Sequence, residues 1–453
     1  MRIPTIPVVL NRLLRAVDFD QAVLWGVSGK VFAAFVGPVT AVLIAYYFSP
    51  ELQGYHYTFL SLAAMQIFVE LGLSGVITTF ASHEWAKLTW SKSNGIEGDP
   101  EALSRLASLT LFSLRWFVTA AVALILLLVV VGFIFLSVAP SLEHQVAWQG
   151  PWIGLCVVTG INLMLVPVWA ILQGCGQIKN IYSYRFTEAV LRAMVMWIAL
   201  LIGVGLWAVV IASCVALLWA SNYLWSRYGS FFSSLRYIKT LEPIVWKRDI
   251  LPLQWRIALG WMGGYFMFSL FTPALFYFQG PVVAGQMGMT WALISGVSGL
   301  AGTWLQVKVP EFGLLVAQRN FLLLDRLVYK AGIISFAITC LGAILLFGLL
   351  VGLDRYAPEL RGRLLPMLPI ALFMIAEVLH QISFAQSSYL RAFKREPFLV
   401  LSLVSSLTVG ISTIISAKYF DASGISVGYL TAVLVAIAWG TRIFVRCRRE
   451  WIC

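Results

Sequence analysis

Apolar runs of 18 or more residues recur from one end of this 453-residue chain to the other. A run of that length can cross a bilayer as a helix, and no soluble domain buries a dozen of them. Spans are expected near residues 22–47, 56–81, 112–138, 152–172, 186–204, 207–226, 257–278, 283–306, 331–353, 366–389, 397–417 and 424–441. Only the tight turn Gly203–Leu206 separates the fifth from the sixth. An all-α polytopic membrane protein of about 12 transmembrane helices follows. Charged residues make up only 11% of the chain, in keeping with that class.

The few charges are sorted by side. With twelve spans both termini share one side, and the segments there hold 25 of the 32 Lys and Arg residues. The other side holds four: Arg355, Arg361, Arg363 and Lys418. Basic loops stay on the cytoplasmic side, so both termini are expected there. The net charge of +12 is then a topology signal and an attraction to anionic phospholipids, not a nucleic-acid footprint. Residues 1–21 carry Arg2, Arg12, Arg15, Asp18 and Asp20 without a small-residue cleavage site, and read as a cytoplasmic amphipathic lead-in. The six cysteines are scattered without metal spacing and are expected to be reduced thiols.

The chain reads as two halves. The turn Pro50-x-x-x-Gly54 has a counterpart at Pro281-x-x-x-Gly285, each after an aromatic helix end: Tyr46-Tyr47-Phe48 and Phe276-Tyr277-Phe278. The expected units are a six-helix lobe over 22–227, a cytoplasmic linker over 228–256, a second six-helix lobe over 257–441 and a basic tail over 442–453. A doubled six-span layout is a transporter architecture. The first span of each half is expected to be interrupted, at Pro38 and at Pro273, with Gly263-Gly264 loosening the latter. In the connection 82–111, Asp99-Pro100-Glu101 is a helix start, expected to open a short surface helix through Leu109.

Charges inside spans carry the functional signal, because a charge near the bilayer centre costs about 2.5–3.5 kcal/mol. At about 1.5 Å per residue, Lys30, Glu70, Glu377 and His380 all lie roughly 12–18 Å from the cytoplasmic ends of their spans. Lys30 and Glu70 read either as a buried ion pair tying spans one and two, or as the lining of a substrate cavity. Glu377 and His380 share a helix face and are candidate proton sites, with Glu188 a further coupling candidate. Arg192 and Arg256, near the inner edge, either snorkel to headgroups or help Lys30 to hold a diphosphate. Neither a phosphate-binding glycine loop nor H-E-x-x-H zinc spacing is present in the sequence. No catalytic residue, metal site or cofactor is therefore expected.

The stretch Tyr46–His83 resembles the polysaccharide-exporter branch of the MOP (multidrug/oligosaccharidyl-lipid/polysaccharide) flippase superfamily. The resemblance rests on the aromatic end Tyr46–Phe48, the turn Ser49-Pro50-Glu51-Leu52-Gln53-Gly54, and the run Glu70-Leu71-Gly72-Leu73-Ser74. Ser49 stands where the family usually has glycine. The resemblance implies two MATE-like lobes in a bacterial cytoplasmic membrane. It implies alternating access that moves an undecaprenyl-diphosphate-linked oligosaccharide, such as an O-antigen or exopolysaccharide unit, to the periplasmic leaflet. Glycan polymerase and chain-length proteins are the partners it suggests, and a proton or sodium ion is the coupling species. Two alternatives stay open: a MATE-type cation-coupled drug antiporter, and a polytopic glycan polymerase or glycosyltransferase.

Overall fold

The computed structural model describes residues 21–91, 95–137, 146–236, 238, 251–393 and 395–452. It is helical, apart from one β-hairpin. In the first half, α1 is Gln21–Tyr47, α2 Pro50–Ala63, α3 Ile67–Glu70 and α4 Leu73–Trp85. Strands β1 (Leu88–Ser91) and β2 (Gly95–Gly98) precede α5 Pro100–Leu136, α6 Gln149–Gly174, α7 Ile178–Ile202 and α8 Trp207–Arg236. The second half holds α9 Leu251–Phe268, α10 Phe271–Gln279, α11 Pro281–Ala317, α12 Phe321–Tyr356 and α13 Pro358–Arg361. It ends with α14 Met367–Arg391, α15 Leu399–Tyr419 and α16 Asp421–Ile452.

Among the described residues, eight helices are long and apolar enough to cross a membrane, and two bent pairs raise the number to ten. The pairs are α2/α3 with α4, bent by 46°, and α9 with α10, bent by 44°. The expected fifth and eighth spans fall on α7 and α11, which are long enough to cross; α7 carries charges, among them Arg185, Glu188 and Arg192, and α11 is rich in small residues. The two halves pack alike. Each first span lies on its fifth (α1 on α7, α9 on α15), and each fourth on its sixth (α6 on α8, α14 on α16).

Several boundaries differ from expectation for local reasons. The cap at Asp99 forms, its carboxylate accepting from Glu101 N at 3.2 Å. The helix it starts does not stop at Leu109, however. No glycine or proline interrupts Leu109–Phe112, so a single helix of 37 residues runs from the surface across the membrane. The connection before it folds as the β1–β2 hairpin, clasped at its base by Lys87 and Asp99. Its Trp90 packs on Tyr228 and Phe231 of α8. The expected interruption of the first span is not a break: α1 continues as helix through Pro38. The helix α9 also runs unbroken through Gly263-Gly264. Within the expected linker, α8 runs on to Arg236 and α9 includes Leu251, while residues 239–250 lie outside the described residues. Residues 1–20 of the expected lead-in lie outside the described residues.

Candidate functional site

The helix α1 has two exposed faces. One carries Val31, Phe35, Val39, Val42 and Tyr46, large apolar side chains suited to lipid. The other follows the stripe Lys30, Ala33, Gly37, Ala41, Ile44 and Phe48, whose spacing of three and four keeps one face of the helix. Its first three residues are exposed and its last three are buried, Ile44 to 1% and Phe48 to 3%. The second half repeats this on α11. There Gly285, Gly288 and Met289 are buried, while Ala292, Gly296 and Gly299 further along the stripe are exposed. Small residues exposed on two helices that pack together toward one end describe a cleft between the halves. It is open at the end rich in Lys and Arg and shut at the other.

The shut end is built from the two matching turns. Ser49 caps α2 by accepting from Leu52 N at 3.2 Å, and Pro50 opens the helix. Pro281 opens α11 in the same way, after Gly280 at φ 88°. A Cβ on Gly54 would lie 1.9 Å from the Pro281 carbonyl oxygen, and one on Gly285 would lie 2.8 Å from Gly54 N. Each half therefore seats its glycine against the backbone of the other. Gln53 fastens the contact: its Nε2 donates to the carbonyls of Gly285 and Arg363, each at 2.9 Å.

Glu70 stands at the bend of the second span. The helix α3 ends on it, and Leu71 (φ 50°) and Gly72 (φ 65°) both turn left-handed before α4 begins. Its Oε1 accepts from Ser74 Oγ at 2.6 Å. No ion pair joins it to Lys30, so of the two readings of these residues the salt bridge between spans one and two does not form. The physical reason is the bend, which turns the span after Glu70 and gives the carboxylate a local donor. Nearby Phe68 crosses to the other half and packs on Tyr265 and Phe266 of α9. That helix breaks at Ser269-Leu270. Pro273 is the third residue of α10, where its missing N–H leaves no helical bond unmade.

Glu377 and His380 go to different neighbours. Glu377 is 5% exposed and accepts from Tyr429 Oη at 2.6 Å. Around Tyr429 stand Phe271, Trp291 and Phe373, an aromatic box inside the second half. His380 meets Phe268 edge-on at 6.1 Å between ring centroids. Tyr429 is the partner that sequence reasoning missed, since it lies on another helix, 52 residues away.

Glu188 and Arg192 pair along one helix at 2.6 Å, with Arg192 half-exposed. One turn earlier Tyr184 stacks on Trp169 at 4.4 Å and approaches Tyr223 at 4.9 Å. The backbone of Arg256 lies in α9, and its side chain lies outside the described residues. Among the described residues no group of three His, Cys, Asp or Glu side chains could hold a metal ion.

Neither a protein-family model nor a curated protein matches the chain. Solved structures do. The MATE multidrug transporter DinF-BH aligns at TM-score 0.60 and 13% identity, covering 100% of this chain and 98% of its own. An inward-facing multidrug resistance MATE transporter of the MOP superfamily gives 0.59 at 14%, covering 94% of this chain and 96% of its own. A MOP-superfamily transporter from Pyrococcus furiosus, noted for the reverse polarity of its binding pocket, gives 0.53 at 16%, covering 97% and 99%. The chain therefore has the fold of the MOP-superfamily membrane transporters.

Proposed function

We propose that the protein is an alternating-access flippase for undecaprenyl-diphosphate-linked oligosaccharide, loading from the cytoplasmic leaflet and releasing to the other. The observation that carries this reading is Lys30 exposed on the small-residue stripe of α1, within the open end of the cleft. Glu70, which would offset it, is turned away to Ser74. A cation that Glu70 does not neutralise favours an anionic headgroup, and glycines around it leave room for a bulky one. In the P. furiosus neighbour, too, the polarity of the pocket is what suggests a different function. The basic end of the cleft lies toward the cytoplasm by the charge bias, the side on which such a lipid-linked unit is presented.

The test is glycan export in cells that depend on this protein. Lys30→Ala is expected to lower surface glycan about tenfold at unchanged protein level, the worth of about 1.4 kcal/mol. Lys30→Arg is expected to retain most of it. Normal export by Lys30→Ala sinks the reading. The competing reading, a cation-coupled drug antiporter, draws on the enclosed Glu377–Tyr429 pair. Under it Glu377→Gln abolishes drug efflux while Lys30→Ala leaves efflux intact.

A further inference from the structure

Away from the cleft, α12 and α16 both pack on α14 and leave a groove between them of about 600 Å³. Tyr329, Ile333 and Phe336 of α12 line it and are exposed. The same face of α12 carries exposed Ile344 further along, so the groove opens to the bilayer rather than to the cleft. Ile382 and Ala385 form its floor and Phe444 its far wall.

One end of this apolar groove is charged. Asp325, Arg326 and Arg448 meet there. The Asp325 carboxylate is already engaged: Arg448 pairs with it, and Tyr389 Oη donates to it at 2.8 Å. Among the described residues no carboxylate pairs with Arg326. Two guanidinium groups against one carboxylate leave the end net positive. It lies at the cytoplasmic edge, where the charge bias places the start of α12 and the end of α16.

Length identifies the occupant. From Asp325 to Phe336 is eleven residues, or about 16 Å of helix. One leaflet of the hydrocarbon core is about 15 Å deep, half of about 30 Å. We infer that the groove holds an anionic phospholipid of the cytoplasmic leaflet, one acyl chain between α12 and α16 and the phosphate on Arg326 and Arg448. The lipid bridges two helices that both pack on α14 and are joined directly by the Asp325–Arg448 pair. The site is independent of the cargo in the cleft, and stands or falls apart from it.

Native mass spectrometry of the purified full-length protein tests this with phosphatidylglycerol and phosphatidylcholine of identical chains. The wild-type protein is expected to retain phosphatidylglycerol in preference. Arg326→Ala, at an exposed position, is expected to weaken that retention about fivefold, the effect of one basic residue at an anionic headgroup. Ile333→Trp, which fills the groove, is expected to lower retention without altering headgroup preference elsewhere on the protein. Equal retention of the two lipids by the wild-type protein overturns the inference. So does retention of phosphatidylglycerol by both variants at the wild-type level. Preferential retention of a polyprenyl phosphate over phosphatidylglycerol, lost in Ile333→Trp, assigns the groove to the cargo's tail and overturns it as well.

Discussion

Single residues decide where this bundle bends and where it closes. Leu71 adopts a left-handed conformation that costs a non-glycine residue about 1–2 kcal/mol, and Gly72 adopts a second one beside it. The strain is held by the Glu70–Ser74 hydrogen bond across the break. Gly72→Ala is therefore expected to cost about 1 kcal/mol in stability, measured as a lowered unfolding temperature in detergent. Leu71→Gly is expected to do the reverse, relieving the left-handed strain at Leu71 and raising that temperature. Glu70 stood out in the sequence, because a carboxylate amid apolar neighbours is rare. Its orientation was not legible, since depth along a helix says nothing of a bend that swings the carboxylate toward Ser74. Glu377 fared differently. Its depth in the span was expected, but its partner Tyr429 reaches it only after α14 and α16 have packed.

Elements followed the apolar pattern closely and departed from it where breakers act in pairs or not at all. One proline, Pro38, breaks no helix here, because bilayer and neighbouring helices leave the chain few alternatives to helical hydrogen bonding. Two adjacent left-handed residues end α3, although neither is proline. The β1–β2 hairpin was hidden because Leu88–Gly98 alternates only weakly. Its one turn cue, Asn94-Gly95, sits in a run of small polar residues that reads equally well as plain loop. Its stability rests on tertiary packing of Trp90 against α8. Trp90→Ala should release the hairpin from Tyr228 and Phe231. Limited proteolysis within residues 88–98 is the measurement, expected to become faster while the helices stay protected. Unchanged cleavage would mean that the Lys87–Asp99 clasp alone holds the strands.

At the scale of the whole molecule, the two halves meet through matching turns and separate along matching stripes of small residues. The repeat of Pro50–Gly54 at Pro281–Gly285 was visible in the sequence. That the two glycines rest against each other's backbone was not, because a repeat gives the parts and not the axis that relates them. The contact has a sharp consequence. A Cβ at Gly54 would fall 1.9 Å from a backbone oxygen, and backbone cannot move aside as a side chain tip can. Gly54→Val therefore cannot close the outer end as seen here, and the protein is expected to shift toward a state open to the outside. A reporter cysteine introduced as Gly296→Cys, on the exposed part of the α11 stripe, reads the shift in spheroplasts. With wild-type Gly54 it should resist a membrane-impermeant maleimide added outside, over the background of the six native cysteines. With Gly54→Val it should label severalfold faster, and the proposed export should fall, because alternating access requires a closed outer end. Slow labelling of the double variant from outside would mean that Gln53 and the buried ends of α1 and α11 hold the halves together without the glycine contact.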